Sequence, residues 1–267
     1  VNPHRKKKIS DLADFMSWGF SRGGVTDLAG IADDESLPIH LDHYEDCFDG
    51  MLFHDGWDYH IHLNMDRGNT LTSKRGRFTL AHELGHYFIE EHRIGLKYGL
   101  LTPHPSFNDY GHVERIELEA DYFAGCLLMP YNGYRTFCAK KPFSIDLLHE
   151  VSEHFQVSVM ACLLRFIEAG TREILVVVSQ DKTVKRFSKS TDFPGFPFRF
   201  KLGGRLPLNT LAETYSTNLR NLSNSEIELS DPQAWFHVND GRSYNTMYEQ
   251  CYYAKTSRQV VTLIWFE

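Results

Sequence analysis

At 267 residues the chain is long enough for one large domain or two moderate ones. Its net charge of −7 excludes a general affinity for nucleic acid or anionic membranes, and no stretch reaches the roughly 20 apolar residues of a membrane-spanning helix. The five cysteines (Cys47, Cys126, Cys138, Cys162, Cys251) are scattered, with no CxxC pair, which excludes a disulfide framework and points to a reducing, cytosolic setting.

The opening "VNPHRKKKIS" carries a basic run without an apolar stretch behind it, so it is not a secretory signal, and "RKKK" reads as a solvated tail. "ISDLADFMSWGFSRGG" comes next, with Leu12, Phe15, Met16 and Phe20 at helical spacing and a stop at Gly23-Gly24. "GMLFHDGWDYHIHLN" reads as two strands around Asp55-Gly56, a strong hairpin signal. His60 and His62 alternate on one face of the second strand. Such a pair can bind metal, but the neighbouring Asp and Tyr residues favour an ordinary half-exposed strand.

A helix capped by Ser73 is predicted after this hairpin, with Phe78, Ala81, Leu84, Gly85 and Phe88 as its core stripe and an expected end at Gly95. Residues 96–110 are punctuated by Gly99, Pro103, Pro105 and Asn108, a long loop of the kind that edges a site. "HVERIELEADYFAGCLLMP" predicts a second helix, stopped by Pro130. "FSIDLLHEVSEHFQVSVMACLLRFIEAG" predicts two helices meeting near Gln156-Val157, with Ser158 as cap and Gly170 as terminator. Beyond Gly170 the pattern turns to strands: "REILVVVSQDKTVKRF" as a hairpin around Gln180-Asp181, a helix in "LNTLAETYSTN", and a final strand in "RQVVTLIWFE". The aromatics of "FPGFPFRF" and Trp235, Phe236, Tyr252, Tyr253 and Trp265 are expected to fill a small core rather than line a pocket.

The chemistry concentrates in "RFTLAHELGHYFIEEH". His82 and His86 are four apart, so on a helix both imidazoles leave one face and can share one tetrahedral Zn2+. Glu83 is turned about 100° from His82, out of easy reach of the same ion but able to take a proton from water beside it. With 14 histidines, HExxH arises by chance in roughly one such chain in twenty, so the motif needs a third ligand elsewhere. The second helix offers Glu114, Glu117, Glu119 and Asp121. Glu117 and Asp121 share a face, an arrangement that lets one ligate and the other orient an imidazole.

"TLAHELGHYF", with "ELEADYFAGCLLMP" some thirty residues further on, resembles the ImmA/IrrE family of zinc metallopeptidases. The helical "LLHEVSEHFQVSVMACLLRFIEAG" resembles the segment that follows in those proteins, and "DPQAWFHVNDG … YEQCYYAKTSRQVVTLIWFE" resembles the C-terminal region of many longer members. The resemblance implies Zn2+ as cofactor, His82, His86 and Glu117 as ligands, Glu83 as general base and Asp121 behind a ligand. It also implies a cytoplasmic protease acting on a protein substrate such as a helix-turn-helix repressor in a stress-response or mobile-element circuit. A side chain that stabilises an oxyanion is expected in the loop, where His104, Tyr110 and His112 remain equal candidates.

Two other classes compete. A DNA-binding helix-turn-helix at residues 143–170 has the wrong charge, one Arg165 against Asp146, Glu150, Glu153 and Glu168. In a non-enzymatic or antitoxin-like interaction protein a structural zinc would normally take four protein ligands, mostly Cys and His. Glu83 would have no need to be retained there, although an open site can be latent. The expectation is therefore an α+β chain: a zincin-like metallopeptidase domain (1–142), a helix-turn-helix-like extension (143–170) and a smaller β-rich domain (171–267) that senses a signal or selects substrate.

Overall fold

The computed structural model describes residues 1–101, 115–169, 172–217, 224–238, 246–255 and 257–267. They form two compact units: Val1–Lys141 with His149–Cys162, and Pro142–Leu148 with Leu163–Glu267. The elements in chain order are α1 (Pro3–Trp18), β1 (Ser21–Arg22), β2 (Val25–Thr26), α2 (Leu28–Asp34), β3 (Ile39–Asp42), β4 (Gly50–His54), β5 (Tyr59–Asn64), α3 (Lys74–Phe88), α4 (Glu90–Lys97), α5 (Arg115–Leu128) and α6 (Tyr131–Cys138). They continue with α7 (Ile145–Phe155), α8 (Val159–Ala169), β6 (Ile174–Gln180), β7 (Thr183–Lys189), α9 (Leu211–Thr217), β8 (Glu228–Leu229), α10 (Pro232–Trp235), β9 (Met247–Ala254) and β10 (Gln259–Phe266). The chain is mixed α+β with a β-rich C-terminal region, as the alternation of 3.6- and 2-residue periods requires.

In the first unit, β4 and β5 form the hairpin expected at Asp55-Gly56, with Gly56 at φ +103°, a conformation glycine takes without a steric penalty. β3 adds parallel to β5, so the order is β3-β5-β4 and β4 is an outer strand. Helix α3 lies against β4 and β5 and packs along α5, which in turn packs on α1. Leu80, Leu84, Phe123 and Leu127 fill these seams together with Ile61 and Leu63 from β5.

Several local expectations need correction. α1 begins at Pro3, capped by the Asn2 side chain, so the basic run is helix rather than tail. Its buried positions are Ile9, Ala13 and Ser17, while Phe15 and Trp18 are 74% and 88% exposed. Small residues line this seam because α1 and α5 pack along it, and a reading by hydrophobicity selected the neighbouring face. The HExxH helix keeps its Ser73 cap but ends at Phe88, not Gly95. Ile89 takes extended backbone (φ −74°, ψ 106°) so that its side chain enters the core, and α4 restarts at Glu90.

Helices α7 and α8 meet at Gln156, which adopts φ +54°, and Ser158 caps the second by accepting from the Ala161 amide. Gly170 lies outside the described residues. In the second unit five antiparallel strands run in the order β7-β6-β10-β9-β8. The β6–β7 turn is made by Asp181 and Lys182, both at positive φ, one residue beyond the expected position. Phe193, Phe200, Trp235, Phe236 and Phe266 are buried in one cluster with Leu175, Val177 and Ile264. Beneath that cluster Glu249 is fully buried, accepting from Trp235 Nε1, the Ser230 hydroxyl and the Ala212 amide. Burial raises its pKa, and the hydrogen bonds only partly offset that effect.

Candidate metal centre

Helix periodicity places His82 and His86 one turn apart on the face of α3 that meets α5, with Glu117 facing them from the first turn of α5. His82 Nε2 and His86 Nε2 are 3.1 Å apart; Glu117 Oε2 lies 3.3 Å from the first and Oε1 3.1 Å from the second. All three side chains are buried, and their donor atoms lie within 4.8 Å of one another. Ligands about 2.0–2.1 Å from one tetrahedral ion are separated by about 3.3–3.4 Å, so this trio fits a single metal. Among the described residues no other group of three His, Cys, Asp or Glu side chains converges in this way.

Asp121 Oδ1 accepts from His82 Nδ1 at 2.9 Å, which fixes the imidazole with Nε2 turned into the trio. Burial disfavours the His82 cation, but hydrogen bonds to Asp121 and Glu117 outweigh it and raise the pKa well above the usual range. For His86 burial dominates and pushes the pKa down to about 3, which keeps that ring neutral and able to ligate. Glu83 is 1% exposed and lies over Gly50 of β4, where a Cβ would stand 2.8 Å from Glu83 Oε1 and 2.4 Å from Thr79 Cγ2. Gly50 therefore makes room for the Glu83 carboxylate between helix and strand.

Gly85 sets how closely the two helices approach. A Cβ there would meet Phe123 Cδ1 at 3.1 Å and Ala120 Cα and O at 3.2 Å, so the missing side chain lets α3 and α5 approach. That approach brings Glu117, one turn before Ala120, to the two histidines.

A second layer of contacts surrounds the trio, and nothing in the local sequence pattern announces it. Glu119, 2% exposed, is held by Arg5 at 2.6 and 2.9 Å and by Arg115 at 2.8 Å. His92 Nε2 stands 3.4 Å from its carboxylate, and the His92 ring packs 5.1 Å from that of His86. Arg5 also reaches Glu91, so the start of α1 is tied to both α4 and α5. The one readable signal is Asn2-Pro3, a helix start that places Arg5 on a structured element. Of the remaining candidates, His104, Tyr110, His112 and Glu114 lie outside the described residues.

A buried His-His-Glu trio on two packed helices, with a glutamate next to the first histidine, defines a metallopeptidase-like site. Residues 53–166 match the family model Peptidase_M78, described as the IrrE N-terminal-like domain, a match that supports a relation of this segment to the ImmA/IrrE family. Among solved structures, a chain described as a Mycobacterium tuberculosis transcriptional regulator is similar over 97% of this chain and 76% of its own length. The TM-score is 0.61 at 13% identity, a likeness of fold. No curated protein matches the chain. No helix among the described residues is long and apolar enough to cross a membrane.

Proposed function

We propose that the protein is a zinc-dependent endopeptidase that makes limited cuts in a specific protein, in a reducing compartment such as the cytosol. The observation that carries this reading is the convergence of His82, His86 and Glu117 beside a buried Glu83. The first three residues hold the metal, and the neutral His86 ring and the Asp121-backed His82 ring present their Nε2 atoms to it. Zinc bound there supplies Lewis acidity to a peptide carbonyl and makes water nucleophilic near neutral pH.

Glu83 is the group that would take a proton from the attacking water and return it to the departing amine. It is buried against Gly50, between helix α3 and strand β4. β4 is the outer strand on this side of its sheet, and an extended substrate segment pairing along it would run beside Glu83. Selective use of such an edge suits limited proteolysis. The substrate class rests on the family resemblance: a helix-turn-helix repressor, with the second unit selecting it or sensing a signal. The oxyanion partner is one of His104, Tyr110 and His112.

The three-ligand set is tested by zinc analysis of Glu117→Ala. The variant should purify without its zinc and without cleavage activity. Full metal content in Glu117→Ala would remove Glu117 from the ligand set and, with it, this assignment of the site.

A further inference from the structure

The sequence's other histidine pair acquires a partner that only the fold supplies. Parallel pairing of β3 with β5 sets His40 opposite His62. The His40 ring stacks on His62 with centroids 4.9 Å apart and lies 5.5 Å from the ring of His60. His40 Nε2 is 3.4 Å from His60 Nδ1. That is long for a hydrogen bond. It is, however, the edge of about 3.3–3.4 Å expected between two nitrogens bound about 2.0–2.1 Å from one tetrahedral ion.

The opposite nitrogen of His60 supports the same reading. His60 Nε2 lies 3.1 Å from Asp55 Oδ2, so the carboxylate takes the N–H and leaves the Nδ1 lone pair directed at His40. Carboxylates orient metal-binding imidazoles in this way. Asp55 is itself fixed by the backbone amides of Asp58 and Trp57, which hold its pKa down to about 2 and keep it anionic. Next to the pair, burial and then the charges of His40 and His60 lower the pKa of His62. Its Nδ1 is 2.8 Å from the Tyr44 hydroxyl, so its ring is anchored against that of His40.

We infer that His40 and His60 form a second transition-metal site, distinct from the His82 trio, for a borderline divalent ion such as Zn2+ or Ni2+. Two imidazoles chelate the ion and solvent fills the other positions. His40 is exposed, so the site loads directly from solution, and with two protein ligands it fills at higher metal concentration than the trio.

The experiment is calorimetric titration of Ni2+ into tag-free protein preloaded with one equivalent of Zn2+. One Ni2+ per chain is expected, with affinity lowered at least tenfold in both His40→Ala and His60→Ala. His40→Gln, which keeps a polar side chain at an exposed position, should give the same loss with an unchanged melting temperature. Glu117→Ala, titrated without zinc preloading, should retain the Ni2+ site, which separates this inference from the assignment of the trio. Absence of Ni2+ uptake by the unaltered protein, or unchanged affinity in the His40 and His60 variants, would overturn it.

Discussion

Two glycines in the helices that carry the candidate metal ligands should respond to alanine in opposite directions. In an ordinary helix interior the change from Gly to Ala gains up to about 1 kcal/mol. At Gly125 of α5 nothing lies within 4 Å of the added methyl, so Gly125→Ala should realise that gain. At Gly85 of α3 the methyl would stand 3.1 Å from Phe123 Cδ1 and 3.2 Å from the Ala120 backbone, below ordinary contact by several tenths of an ångström. Overpacking of this kind costs about 1–3 kcal/mol. The net expectation for Gly85→Ala is a loss of up to about 2 kcal/mol, or a melting temperature lower by up to roughly 8 °C at about 4 °C per kcal/mol. The displaced element is α5, and a shift beyond about 0.2 Å spoils a metal site. Zinc affinity should therefore fall about tenfold, judged against the tolerance of such sites. Thermal melts of both apo-variants and zinc competition with a chelator provide the assay. If Gly85→Ala matched Gly125→Ala in stability and kept wild-type zinc affinity, the claim that Gly85 sets the α3–α5 distance would be wrong.

The same contacts set three further outcomes. Asp121→Asn keeps the shape but not the charge behind His82 Nδ1, and zinc affinity should drop about 10–100-fold in a chelator titration. Arg5→Ala leaves Glu119 with Arg115 as its main cation and should destabilise the protein by about 3 kcal/mol at pH 7, measured by denaturant unfolding. Glu119 is buried, yet Arg5 and Arg115 hold its pKa below the ordinary 4.5. Its contribution is thus present at neutral pH and lost as the pH falls below about 4.5, so variant and wild type should converge in acid. Glu249→Ala strips the acceptor from Trp235 Nε1 and the Ala212 amide, and should cost about 2–4 kcal/mol in the unfolding of the second unit.

The convergence of His82, His86 and Glu117 was legible because helix geometry translates spacing into direction. His82 and His86 at i and i+4, and Glu117 and Asp121 at the same interval on a second helix, need only one packing contact to meet. The two helix-capping serines, the β4–β5 hairpin and the β-rich end were readable on equally local grounds. What escaped depends on pairings distant in sequence. Arg5 finds Glu119 across 114 positions, and His40 meets His60 only because β3 lies parallel to β5. The end of α3 at Ile89 carries no Gly or Pro to announce it; burial of the Ile89 side chain decides it. The face of α1 was misjudged because Ala13 and Ser17 are buried for their small size, while the larger Phe15 and Trp18 face solvent.

The central claim is that Glu83 moves protons in peptide-bond hydrolysis at the His82–His86–Glu117 site. Its most direct test is a comparison of new protein N-termini in host cells producing wild type or Glu83→Gln, with zinc content measured in both purified proteins. Equal zinc in both proteins is expected, with a small set of N-termini present only with wild type, among them cuts in a helix-turn-helix regulator. Cleavage that persists in Glu83→Gln with its zinc in place would contradict the claim.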